Sequence, residues 1–119
     1  MERVRGIGGY FIRARDPEAL ARWYRECLGL DLDQFGLWQQ EAGPTVFAPF
    51  ASDTDYFGSR DQRTMLNFRV RDLDAMLAQL RAAGVEVIDA LEESEFGRFG
   101  WAVDPEGTRF ELWEPPPGG

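Results

Sequence analysis

The chain has 119 residues and no histidine. Histidine is the usual general base near neutral pH and a very common metal ligand. Any chemistry therefore falls to carboxylates, phenols, guanidiniums, amides and the single thiol. The most conspicuous candidate is Glu111, set between Phe110 and Leu112 in an apolar stretch. Desolvation makes a carboxyl group a stronger base, whereas an arginine partner does the opposite. Glu111 is thus either a base or metal ligand in a site, or half of an ion pair on a wet face. Arg13 and Arg69 could contact an anionic ligand or steady an oxyanion, or else sit at solvated strand ends or in a subunit salt bridge. Asn67 lies in an apolar stretch, where a buried amide must find partners in the protein or in a ligand. Phe11, Trp38, Phe99, Trp101 and Trp113, with Phe47 and Phe50, offer aromatic area. Core packing is the default for it, and a stacking pocket is the alternative.

These residues need elements to hold them. Asp104-Pro105-Glu106-Gly107 has the residue preferences of a type I turn between two strand-like runs, 99–103 and 108–113. With a side-chain period of two, Glu111 shares a face with Arg109 and Trp113, and Phe110 and Leu112 face the other way. Asp16-Pro17 opens a helix with an apolar stripe at Leu20, Trp23, Tyr24, Cys27 and Leu28, and Gly29 stops it. Asp72 opens a second, with Leu73, Met76, Leu77 and Leu80, and Gly84 stops it. Strands are expected at 7–14, 30–35, 37–40, 45–50, 65–71 and 85–88, and an acidic loop at 92–97. Cys27 reads as a buried, inert thiol. Tyr56 and Phe57 stand in a polar connector, where a dimer seam or a lid would explain them.

The pattern occurs twice. Arg13-Ala14-Arg15-Asp16 matches Arg69-Val70-Arg71-Asp72, and Leu28-Gly29-Leu30 matches Ala83-Gly84-Val85. A period of this size marks a duplicated supersecondary unit. The expected organisation is one domain over 1–119. It comprises a first β-α-β-β-β module at 5–50, a connector at 51–64, a second module at 65–114 and a tail at 115–119. Helices can cover one face of each small sheet. The faces carrying Gly9, Phe11, Arg13, Met65, Asn67, Arg69, Glu111 and Trp113 are left to curve around something.

The totals narrow the partners. Net charge is −8, which disfavours nucleic acid and anionic membranes and mildly favours a cationic ligand. One cysteine permits neither an internal disulfide nor a cysteine metal cluster. No apolar run reaches membrane-spanning length, and 1–5 lack the apolar core of a signal peptide, so a cytoplasmic protein is expected.

Asp16-Pro17-Glu18-x-Leu20-x-x-Trp23-Tyr24, Leu28-Gly29-Leu30, and Asp104-Pro105-Glu106-Gly107-x-x-x-Glu111-Leu112-Trp113-Glu114-Pro115 occur in that order. In order and spacing they resemble the vicinal oxygen chelate superfamily, which includes glyoxalase I, bleomycin-resistance proteins and extradiol dioxygenases. Asp55-Tyr56-Phe57-Gly58 and Gly97-Arg98-Phe99-Gly100-Trp101 look like small bacterial glyoxalase-like members. The resemblance implies an α+β fold in which two βαβββ modules form a cup-shaped mixed sheet, in a homodimer. It also implies one divalent ion held on the first and last strands of each module. Carried over residue by residue, the ligand positions fall on Gly9, on Phe47 or Ala48, on Met65 and on Glu111. Only Glu111 can bind a hard cation, and one carboxylate cannot hold an ion that wants three or four donors. The expectation is a cup that binds a small aromatic or cationic molecule with no metal or other cofactor. The alternative is a lyase or isomerase of the glyoxalase-like type using Glu111 as base or metal ligand. A structural or regulatory dimer with no ligand is the third reading.

Overall fold

In the computed structural model, which describes residues 1–118, the two helices form where their caps lie. Helix α1 spans Pro17–Leu28. Its N-cap Asp16 accepts the Ala19 N–H at 3.1 Å, and Gly29 closes it in the left-handed conformation. Helix α2 spans Leu73–Ala82, and its N-cap Asp72 accepts the Ala75 N–H at 3.0 Å.

The strands are β1 (Asn67–Arg69), β2 (Glu86–Val87), β3 (Glu92–Ser94), β4 (Gly97–Val103) and β5 (Arg109–Glu114). They form an open mixed sheet in the order β1-β5-β4-β2, with β3 also paired to β4. β1 runs parallel to β5, and every other pairing is antiparallel. Both helices pack on one face. Leu20, Tyr24 and Leu28 of α1 meet Leu73, Leu77 and Leu80 of α2 over Ala102, Phe110 and Leu112 of the sheet. Each buried leucine or phenylalanine contributes about 1.5–3 kcal/mol. Gly100 lets α2 settle close, since a Cβ there would lie 3.3 Å from a Leu77 methyl. The alternation read from the sequence holds: Phe110 and Leu112 face the helices, and Glu111 faces away.

The β4–β5 turn also fastens the two halves together. Asp104 Oδ1 accepts the N–H groups of Glu106 and Thr108, and its Oδ2 accepts the Tyr24 hydroxyl at 2.7 Å. Burial, and then the Asp104 carboxylate, push the Tyr24 phenol far above its ordinary pKa. Glu106 accepts the N–H groups of Arg15 and Asp16, both at 3.0 Å, at the entrance to α1. These bonds and the nearby Arg15 guanidinium hold the Glu106 carboxyl below the usual range.

Two expectations are corrected. The acidic stretch at 92–97 is not a loop: 92–94 is a strand, because its backbone finds β4 and Glu93 meets Arg98 at 3.0 Å across the hairpin. In the first half, none of the expected strands at 7–14, 30–35, 37–40 or 45–50 forms; no residue before Asn67 is in a strand. A strand needs a neighbour to pair with, and these segments pair neither with one another nor with the sheet. Ile7, Phe11, Phe35, Leu37, Val46 and Phe47 are left in solvent. The accessible surface is 9308 Å², roughly 2,800 Å² above the ~6,500 Å² of a compact monomer of this length. Of the expected tail, Gly119 lies outside the described residues. Among those described, no helix is long and apolar enough to cross a membrane.

Candidate functional site

On the sheet face opposite the helices, Glu111 is only 7% exposed, and neutral donors hold both of its oxygens. The Tyr56 hydroxyl donates to Oε2 at 2.6 Å, and the Asn67 amide donates to Oε1 at 2.7 Å. Asn67 comes from β1, whose parallel register sets it opposite Glu111. The antiparallel register of β4 sets Trp101 on the other side. Tyr56 comes from the connector and lies across the face. Its ring meets Trp101 edge-on at 5.9 Å and stacks on Phe50 at 5.2 Å. Burial, the Glu111 hydrogen bond, and the charges of Glu111 and Glu92 raise the Tyr56 phenol well above its ordinary range, while Trp101 pulls it slightly down. Tyr56 is therefore a neutral donor throughout the physiological range. Trp101 Nε1 is buried close by without a hydrogen-bond partner. Gln62 ties the connector to the sheet edge: its amide nitrogen donates to the Arg109 carbonyl at 2.7 Å, and its oxygen accepts the Arg109 N–H at 2.9 Å.

The other expected residues are distributed unevenly. Phe99 and Trp113 share the Glu111 face, with rings parallel within 2° at 6.2 Å. The Trp113 indole is fixed by donating to the Phe96 carbonyl at 2.8 Å. Arg69 stands at the end of β1, and its guanidinium donates to the Glu41 carbonyl at 3.0 Å. Arg13 lies beside Ala14, Arg15 and Glu106 at the far end of the first-half anchor. Trp38 packs toward Phe68, which belongs with Tyr24 and Phe110 on the helix side. Phe11 is 95% exposed, and its ring rests over Gly9. So Asn67, Phe99, Trp101 and Trp113 gather on the face of Glu111, and Arg69, opposite Trp113, stands at the edge of that face with its guanidinium turned to Glu41, whereas Phe11, Arg13 and Trp38 lie elsewhere. Tyr56 is the partner that strand periodicity could not supply. Its signals were a large aromatic stranded in a polar connector and the Asp55-Tyr56-Phe57-Gly58 motif.

The donor set fits a divalent ion poorly. The residue opposite Glu111 is Asn67, two places after Met65. Gly9 has no side chain, and Phe47 and Ala48 are exposed. Among the described residues no three His, Cys, Asp or Glu side chains gather as a metal site would require.

A family model described as a glyoxalase-like domain matches residues 10–113, nearly the whole chain. The chain belongs to this family. The glyoxalase-like domain sits within the vicinal oxygen chelate superfamily, and solved structures agree. An antibiotic binding protein from Streptomyces sp. CB03234, TnmS3, is 25% identical with a TM-score of 0.64, over 98% of this chain and 100% of that one. A glyoxalase/bleomycin resistance protein from the same organism is 27% identical with a TM-score of 0.55, over 87% of this chain and 95% of that one. A glyoxylase/bleomycin resistance protein/dioxygenase domain from Frankia sp. EAN1pec shares the fold, at 21% identity and a TM-score of 0.61, over 98% and 96% of the two chains. No curated protein matches the sequence.

Proposed function

We propose that this glyoxalase-like domain is a metal-free binding protein for a small aromatic molecule, cationic or neutral, held on the Glu111 face of the sheet. The observation that carries this reading is the state of Glu111. A nearly buried carboxylate has both oxygens held by neutral donors, between Trp101 on one strand and Asn67 on another. That arrangement orients a hydrogen-bond acceptor beside aromatic surface, and among the described residues no cluster of further anionic ligands gathers with it. The similarity to an antibiotic binding protein over the full length of both chains supports a small-molecule cargo.

We further propose that it works as a homodimer. The roughly 2,800 Å² surplus of accessible surface exceeds the ~800 Å² per partner that a standard stable interface buries. The surplus includes first-half segments whose apolar residues stand exposed.

Titration of tryptophan fluorescence with a panel of neutral and cationic aromatics tests the binding reading. We expect saturable binding of one molecule per chain, weakened at least ten-fold by Trp113→Ala. No response from any member of the panel overturns it. Elemental analysis that finds a stoichiometric divalent ion lost in Glu111→Gln overturns the metal-free part. The enzymic alternative makes Glu111 a base, and it is supported if turnover of a bound compound disappears in Glu111→Gln. Light scattering that gives the mass of one chain at micromolar concentration overturns the homodimer.

A further inference from the structure

Tyr56 is placed as a ligand would be placed. It sits on a connector without regular structure and outside the helix-side core, which closes without it. Its contacts are the kind made to a bound aromatic ring. The hydroxyl donates to a buried carboxylate at 2.6 Å, one ring face stacks on Phe50, and the ring meets Trp101 edge-on. The receptor side of these contacts, Glu111, Asn67 and Trp101, is built on three neighbouring strands and does not depend on the connector for its position. The indole Nε1 of Trp101 is buried beside the phenol and makes no close hydrogen bond. The connector is held to the sheet edge at Gln62, six residues beyond Tyr56. Near Tyr56 its backbone is held by local turn bonds, Tyr56 N to Thr54 Oγ1 and Gly58 N to the Asp55 carbonyl. Such a segment can carry the ring away while Gln62 keeps it attached.

We propose that Tyr56 is the internal occupant of a subsite for a hydroxylated aromatic ring, and that a neutral hydroxyarene binds there by displacing it from Glu111. This rests on the small-molecule reading and names its ligand class. The subsite requires a donor toward Glu111 Oε2, a flat ring against Phe50 and Trp101, and a neutral overall charge at that ring.

The test uses two variants and the side-chain analogue of tyrosine, 4-methylphenol, with toluene as the probe that lacks the hydroxyl. Tyr56→Ala opens the subsite, and Tyr56→Phe keeps it filled while removing only the hydroxyl. By calorimetry, Tyr56→Ala is expected to bind 4-methylphenol at least ten-fold more tightly than the wild type does, and at least ten-fold more tightly than it binds toluene. Tyr56→Phe, whose ring still fills the subsite, should bind 4-methylphenol less tightly than Tyr56→Ala does. In the wild-type protein, 2-naphthol should speed amide hydrogen exchange at 51–58, and naphthalene at the same concentration should not. Equal affinity of Tyr56→Ala for 4-methylphenol and toluene overturns the proposal, as does binding of 4-methylphenol to Tyr56→Phe as tight as to Tyr56→Ala. If Tyr56→Ala does not fold, the exchange experiment on wild type decides, and unchanged exchange with 2-naphthol overturns the proposal. The two readings fail separately. A panel compound bound on the Glu111 face of wild type while 4-methylphenol ignores Tyr56→Ala sinks the subsite alone. Tight 4-methylphenol binding to Tyr56→Ala with a silent wild-type panel sinks the binding function alone.

Discussion

Replacing Tyr24 by Phe removes one oxygen atom and tests whether the two halves are fastened by the Tyr24–Asp104 bond. The hydroxyl donates to Asp104 Oδ2 at 2.7 Å, and Asp104 is 4% exposed. A hydrogen bond to a charged group contributes about 1.5–3 kcal/mol, and an orphaned buried acceptor adds a desolvation cost. Asp104 keeps two backbone donors on its other oxygen, so the penalty is not that of a bare buried carboxylate. The expected loss is therefore about 2 kcal/mol, or about 8 °C in Tm for a domain of this size. The ring stays, so its packing on Trp23 and Phe110 is kept. Urea unfolding at fixed protein concentration measures the change, because an associating chain has a concentration-dependent stability. Tyr10→Phe is the control. Its hydroxyl meets Thr64 Oγ1 at a similar 2.8 Å but in solvent, and its loss should cost under about 0.5 kcal/mol. A Tyr24→Phe protein within 0.5 kcal/mol of wild type would refute the idea that this bond clamps α1 to the hairpin.

The raised phenols of Tyr24 and Tyr56 set the alkaline limit. Each folded-state pKa lies above the unfolded value near 10, so the unfolded chain releases protons first. Stability is then full below pH 10 and falls above it, by up to about 1.4 kcal/mol per pH unit for Tyr24 and by less for the more solvated Tyr56. Urea midpoints from pH 8 to 11 should show this fall, and Tyr24→Phe should flatten it. Gly97→Ala should cost at least about 2 kcal/mol in urea unfolding, because φ is +121° and a Cβ would run into the Glu114 carbonyl oxygen. Gly107→Ala, at φ +85° but in open space, should cost only about 1 kcal/mol. Burial and then Glu26 raise the Cys27 thiol, so iodoacetamide at pH 8 should alkylate it several-fold more slowly in the folded protein than in urea.

The sequence alone determined whatever depends on near neighbours. Asp16 and Asp72 cap helices because a cap bonds three residues ahead, and Asp104 to Gly107 turn because a turn closes within four. The face of Glu111 followed from an alternation that any strand obeys. The family was legible from motif order, and the family match confirms it. Only the tertiary structure decided which groups meet. Asn67, and not Met65, stands opposite Glu111 because a parallel register is a long-range choice that counting back from a helix cap does not set. Tyr56 reaches Glu111 across 55 positions of chain, through a connector whose path no periodicity encodes. The same dependence on distant partners explains the first half. Its apolar runs have strand composition, but a ladder forms only where two backbones meet in register, and these runs lie unpaired.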